Sequence, residues 1–161
     1  MLLPHLAAVA IERVEQAAGA VLVWAHARVR EVACYTCGHA ASRVHSRYDR
    51  RLADAAISGQ MVVLRLRVRR FFCDTTECGV HTFAEQPVGV ATPRARRTPR
   101  SREMLESIGL ALAGRAGARL ATGLGMPAGR NTLLRLVRAL PDAPVGEVTV
   151  LGVDDFAIKK G

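Results

Sequence analysis

Between Met61 and Phe72 apolar and charged side chains alternate: Val62, Leu64, Leu66 and Val68 fall on one side, Arg65, Arg67 and Arg69 on the other. A period of two is that of a strand with one face against a core, and Ser58 and Gly59 supply a turn before it. From Val9 to Val29 two β-prone stretches flank Gln16, Ala17, Ala18 and Gly19, and Val21, Val23, Ala25 and Ala27 share one face, which predicts a hairpin. The stretch from Ala7 to Ala18 also fits a helix, and the pattern leaves both open. After Ser101, a helix-capping residue type, the period changes to that of a helix: Met104, Leu105, Ile108 and Leu112 form one stripe up to about Ala113. Gly114 and Gly117 predict a break, followed by a short helix over Ala118 to Thr122 and a turn from Gly123 to Met126. A third helix is expected to open with Pro127 at its first position and to bury Leu133, Leu134, Val137 and Leu140. Beyond Pro141 and Pro144, Val148, Val150, Leu151 and Val153 begin another β-prone segment.

Composition turns this order of elements into small modules. A chain of 161 residues that is 50% hydrophobic but only 4% aromatic can fold, yet each core is thin, so a metal would help. The 23 Lys and Arg against 14 Asp and Glu leave a formal net charge of +9, and most of the cations are Arg. A guanidinium pairs two donors with a phosphate or a guanine edge, so a polyanion is the expected partner. The charge is densest from Val88 to Arg102, where Gly89, Pro93 and Pro99 interleave with Arg94, Arg96, Arg97, Arg100 and Arg102, which reads as a basic linker. Pro4 and His5 interrupt the apolar start, and no run reaches membrane-spanning length. The expected location is therefore the cytoplasm, with no membrane partner.

The four cysteines form two close pairs, Cys34 with Cys37 and Cys73 with Cys78, on either side of the strong strand. In a reducing compartment such pairs more often hold metal than form disulfides. Zinc takes four soft ligands in a tetrahedron, and a short gap lets one turn aim two thiolates at one ion. Gly38 suits the tight turn after the first pair. His39, His45 and His81 compete as ligands but are outranked by four thiols. Four protein ligands leave no open position, so the zinc would be structural.

Three short helices with a Gly-containing turn before the third are the organisation of a helix-turn-helix, whose last helix lies in a major groove. Arg130, Asn131 and Arg135 lie off the apolar stripe of that helix, and Arg suits guanine as Asn suits adenine. Arg65, Arg67, Arg69 and the linker residues Arg94, Arg96 and Arg97 would supply phosphate contacts. A plain helical bundle with a solvated basic face is the competing reading.

As a set, these stretches resemble transposases of the ISL-three type of insertion sequence. The residues that carry the likeness are Cys34-Tyr-Thr-Cys37-Gly38, the run VHSRYDRRL from Val44 to Leu52, LRLRVRRFFC ending at Cys73, Cys78 to Glu85, and LGVDDFAIKKG at the end. The resemblance implies a zinc finger and a helix-turn-helix that bind terminal inverted repeats, ahead of a ribonuclease-H-like domain with an Asp, Asp, Glu triad. Asp154, with Asp155 as its neighbour, would be the first acid. The other two have no counterpart in these residues, so this chain alone is expected not to catalyse, and Mg²⁺ would matter only to a complete catalytic domain. The expectation is an α+β chain: a zinc-ribbon-like β module at 1–88, a basic linker at 89–100, a helix-turn-helix at 101–140 and the first strand of the catalytic domain at 147–161. Its partner would be double-stranded DNA at transposon ends, with a homodimer allowed. A free-standing zinc-containing regulator, or an inhibitor of an intact transposase, would use the same surfaces.

Overall fold

The computed structural model describes residues 3–142. The segment expected to begin the catalytic domain, with Asp154 and Asp155, lies outside the described residues. The chain is of mixed α and β structure. Seven strands run β1 (Val9–Ala17), β2 (Ala20–Ala27), β3 (Val32–Ala33), β4 (Ala40–Ala41), β5 (Val44–Ile57), β6 (Gln60–Phe72) and β7 (Thr82–Ala84). Two helices follow, α1 (Pro99–Gly123) and α2 (Arg130–Arg138).

The first hairpin forms as its alternation predicts, and β1 settles the open choice for Ala7 to Ala18 in favour of a strand. Ala18 and Gly19 both take positive φ, 49° and 74°, as do Ser58 and Gly59 at 50° and 75°. Two-residue turns of this hand match the right-handed twist of the strands they join. The sheet order is β1-β2-β6-β5, with β7 pairing the far end of β6. β2 and β6 run parallel, because β3, β4 and β5 intervene and carry the chain back before β6 begins. Val62, Leu64, Leu66 and Val68 are buried with Val23, Ala25 and Leu52 in one core, which Leu6, Val90 and Ala91 close from outside the sheet. Phe71 and Phe83 join the cysteines in a second core.

Residues 89–100 do not form a free tether. Val90 and Ala91 are buried, and the strap beyond them pairs with the edge of β5: Ala53 N–H donates to the Arg96 carbonyl at 2.9 Å, and Thr98 N–H donates back to the Ala53 carbonyl at 3.0 Å. Arg50 holds it from the side, donating to the carbonyls of Thr92 and Ala95 at 2.9 and 2.8 Å. Thr98 Oγ1 donates to the buried carboxylate of Asp54 at 2.5 Å, whose other oxygen meets His5 at 2.9 Å. An edge strand's unpaired amides attract any segment that can complete them, and here the arginine-rich strap does so.

The helix after the strap begins earlier than Ser101 predicts. Thr98 is the cap, its side chain accepting from Ser101 N–H at 3.2 Å, and Pro99 is the first helical residue. The expected break is present at Ala113, where φ is 55° and ψ −155°, so α1 is two helical segments. Gly114 and Gly117 serve a different purpose from helix breaking: a Cβ on Gly114 would lie 2.6 Å from Arg130 Cγ, and one on Gly117 3.0 Å from Leu133 Cδ1. Together with Gly109 they form the flat groove into which α2 packs. The helix α2 starts at Arg130 and not at Pro127, with Gly129 as its cap. Leu105, Ala121, Met126, Ala128 and Leu133 are the shared core, and Ala56 of β5 packs against it.

The tightest approach of the helices to the sheet is at Gly125. Gly125 has φ 78°, and a Cβ there would overlap the Gly59 carbonyl oxygen at the tip of the β5–β6 turn. Left-handed backbone costs a non-glycine residue about 1–2 kcal/mol, and forcing atoms into a packed contact adds about 1–3 kcal/mol. Gly125→Ala is expected to lower stability by about 2–5 kcal/mol in urea unfolding, whereas Gly123→Ala, whose Cβ meets nothing, should cost far less.

Candidate metal centre and nucleic-acid interface

The first pair of thiols sits in the loop between β3 and β4. Gly38 at φ 75° turns the chain, Gly38 N–H donates to the Cys34 carbonyl at 2.8 Å, and Cys34 N–H donates to that of His39 at 2.9 Å. The second pair lies between β6 and β7, where Cys73 N–H donates to the His81 carbonyl at 2.9 Å and Cys78 N–H to that of Thr75 at 3.1 Å. The two loops face each other across Phe71 and Phe83.

All four sulfurs are free and lie within 4.8 Å of one another; Cys34 to Cys78 is 4.0 Å and Cys37 to Cys73 is 3.6 Å. A disulfide would bring a pair to about 2.05 Å. Four thiolates about 2.3 Å from a tetrahedral zinc stand about 3.8 Å apart, close to these spacings. Cys34 and Cys78 are buried and Cys37 and Cys73 half-buried, so the cluster is closed to substrate. The amides of Cys37 and Thr36 lower the Cys34 pKa, and the His39 amide brings that of Cys37 down to about 6. The Val80 amide likewise favours a thiolate at Cys78, but burial and the three neighbouring sulfurs outweigh it and push this thiol up to about 12. Such crowding is relieved by a divalent cation, which takes the place of the protons. His39 and His81 are exposed, and His45 meets Ser46 Oγ at 2.9 Å and packs edge-on against Phe72, so the cluster among the described residues consists of cysteines alone.

Residues 30–78, which contain all four cysteines, match the family model of the zinc-finger of transposase IS204/IS1001/IS1096/IS1165. No curated protein and no solved structure matches the chain. The cluster and the match together make the cofactor a structural zinc ion, and the segment that binds it is similar to a transposase zinc finger.

The arginines of β6 have different fates. Arg69 does not face solvent as a free cation: its Nε and Nη2 donate to both carboxylate oxygens of Glu85 at 2.6–3.1 Å, and Nη2 also donates to the Val29 carbonyl at 2.5 Å. Glu85 is 2% exposed, so this pair is a buried clamp between β6 and the segment after β7, and Arg69 is withdrawn from the phosphate-contacting set. Arg67 is exposed, 3.5 Å from Asp49. Arg65 lies half-buried beside Trp24, with its guanidinium 5.9 Å from the ring.

The strand register adds residues that sequence reading left out. Arg13 pairs with Trp24, Trp24 with Arg65, and Arg65 with Arg51, so these four form one row across the sheet face opposite the core. Arg13 covers the indole at 4.0 Å. The alternation of Arg47, Asp49 and Arg51 is the signal that could have revealed this row. Ala53, two residues beyond Arg51 on the same face, pairs with Arg97 of the strap, and Arg97 donates to the Pro127 carbonyl at 3.2 Å. Arg96, Arg97 and Arg135 line common ground where the strap crosses α2, with Arg94 at its outer end. Arg130 and Asn131 are exposed at the start of α2, away from the core residue Leu133.

Two outcomes are expected. Intact-protein mass spectrometry under native conditions should find one zinc per chain, lost with Cys34→Ser; acidification should release the metal, because protons compete for all four thiolates. Removing one partner of a buried ion pair costs about 3–5 kcal/mol, so Glu85→Ala should lower the unfolding free energy by about that amount, whereas Asp49→Ala at the exposed Arg67 pair should change it by less than about 1 kcal/mol.

Proposed function

We propose that the chain is the DNA-binding portion of a transposase and that it recognises the terminal inverted repeats of its element. The observation that carries this reading is the match of residues 30–78 to a transposase zinc finger in a chain whose following helices expose Arg130, Asn131, Arg135 and Arg138. The segment 114–123, the turn at 124–129 and α2 share one core with the start of α1, which supports a helix-turn-helix with α2 as the reading helix. Its first residues, Arg130 and Asn131, are exposed, Arg130 with its aliphatic stem laid against Gly114, and they suit guanine and adenine edges. Arg94, Arg96 and Arg97 of the strap, with Arg65, Arg67, Arg51 and Arg13 of the sheet face, extend the positive surface and supply affinity without sequence preference.

In this reading the zinc finger does not itself read bases. It fixes the end of the β5–β6 hairpin, and the hairpin fixes the strap and the helices at its other end. Asp154, in the segment expected to open a ribonuclease-H-like domain, would be the first acid to hold Mg²⁺ in such a domain, and the metal would supply activation of a nucleophilic oxygen and charge neutralisation of the leaving one.

Fluorescence anisotropy with a duplex carrying the element's terminal repeat and a scrambled duplex tests the assignment. Arg130→Ala and Asn131→Ala are expected to reduce discrimination between the two by about 5- to 150-fold, each lost base contact being worth about 1–3 kcal/mol. Arg96→Ala should weaken both duplexes alike. Equal losses on both duplexes for all three variants would reassign α2 to packing, and binding insensitive to salt would remove the DNA reading itself.

A further inference from the structure

Where the strap crosses the start of α2, two adjoining clefts of about 370 and 630 Å³ share Arg96, Arg97, Thr132 and Arg135 in their walls. Among the described residues none of these arginines has a carboxylate partner, although Arg100 and Arg102 nearby do. Arg97 is half-buried, and both its burial and the charge of Arg135 depress its pKa: two guanidiniums face the same space and repel. Asp54 is the acid in the wall of the smaller cleft, but Thr98 and His5 occupy its two oxygens and it is 4% exposed. The same wall contains Ser101, fully buried, whose Oγ has no hydrogen-bond partner among the described residues. Buried hydroxyls are rarely left bare, and uncompensated cations are rarely brought together unless an anion joins them.

We infer that this cleft is a phosphate seat, in which Arg97 and Arg135 grip the oxygens of one phosphate group, Arg96 stands at the entrance and the Ser101 hydroxyl completes the wall. Resting on the DNA-binding reading above, the phosphate belongs to the backbone of the bound duplex. Arg135 then acts as a positioning cation and not as a reader of base edges: it fixes how deeply α2 enters the groove, and Arg130 and Asn131 do the reading. Planar guanidiniums suit this task because each can give two parallel donors to a phosphate.

The test has two arms on the full, zinc-loaded chain. In the first, inorganic phosphate is titrated against chloride at constant ionic strength and the arginine side-chain NMR signals are followed. Saturable millimolar shifts are expected, weakened by Ser101→Ala and abolished by Arg97→Gln or by Arg135→Gln, the last being exposed and so a variant that folds. In the second arm, the slope of log K against log salt is measured on duplex DNA. Each phosphate lost should reduce its magnitude by about 0.9, with discrimination between repeat and scrambled duplex unchanged for Arg135→Gln. Phosphate shifts without a slope change would overturn the duplex assignment and give the seat to a free phosphate. No shifts and no slope change would overturn the seat altogether. If the wild-type chain does not bind DNA, the function proposed above fails while the first arm still decides the cleft.

Discussion

Everything in this chain is referred to one long hairpin. β5 and β6, 14 and 13 residues long, hold one antiparallel register from Ser46 opposite Arg70 to Asp54 opposite Val62, with a shift at either end before Val44 meets Phe71 and Ile57 meets Gln60. A slip of one residue would turn Val62, Leu64, Leu66 and Val68 out to water and Arg65 and Arg67 into the core. At one end β6 enters the metal loop at Cys73; at the other, the Ser58–Gly59 turn meets Gly125 between the helical segments. Between them lies the sheet core. Three cores, each too small to be trusted alone, are thus strung on one bar. The zinc holds one end of it with a strength that apolar burial among so few aromatic residues does not match.

That arrangement explains why the basic residues are ordered at all. A run such as Pro93 to Arg102 has little apolar content and much self-repulsion, the composition of a flexible arm. It is fixed instead by backbone pairing with Ala53, by Arg50 on two of its carbonyls, and by the contact of Thr98 with Asp54. None of these anchors uses a guanidinium of Arg94, Arg96 or Arg97, so those three remain available. Pre-ordering them removes part of the entropy that a disordered arm would lose on meeting a duplex.

The metal ligands and the strand with clean alternation were legible in the sequence, because spacing and period are local properties. β5 was not. Its open face carries Arg47, Asp49 and Arg51, while on the opposite face Leu52 stands between Arg50 and Asp54, so no apolar alternation marks the strand. Only the fold shows that the Arg50 guanidinium reaches past the core to the strap. The strap was misread for the same reason: edge pairing is made by backbone atoms that no side-chain pattern records. Gly114 and Gly117 looked like helix breakers, yet their missing side chains make room for Arg130 and Leu133, a property of the partner helix. The end of the chain, where the resemblance places Asp154, adds nothing to this comparison because it lies outside the described residues.

The most instructive pair is Arg67 and Arg69. They are the same residue type on the same strand face, two positions apart, and the sequence offers no ground for separating them. Their environments differ through Glu85, which arrives from the segment after β7 and takes Arg69 out of solution with both oxygens. Arg67, exposed and 3.5 Å from the exposed Asp49, keeps its charge toward solvent. A formal charge of +9 therefore overstates what a polyanion encounters in one place and understates it in another. Glu85, Asp74, Glu103 and Glu106 neutralise arginines across the sheet, the metal loop and the start of α1. None of them reaches Arg96, Arg97 or Arg135. What distinguishes an interface from a basic surface is this unevenness: carboxylates clamp arginines elsewhere, whereas Asp54, the acid in the cleft where the strap meets α2, is turned to Thr98 and His5.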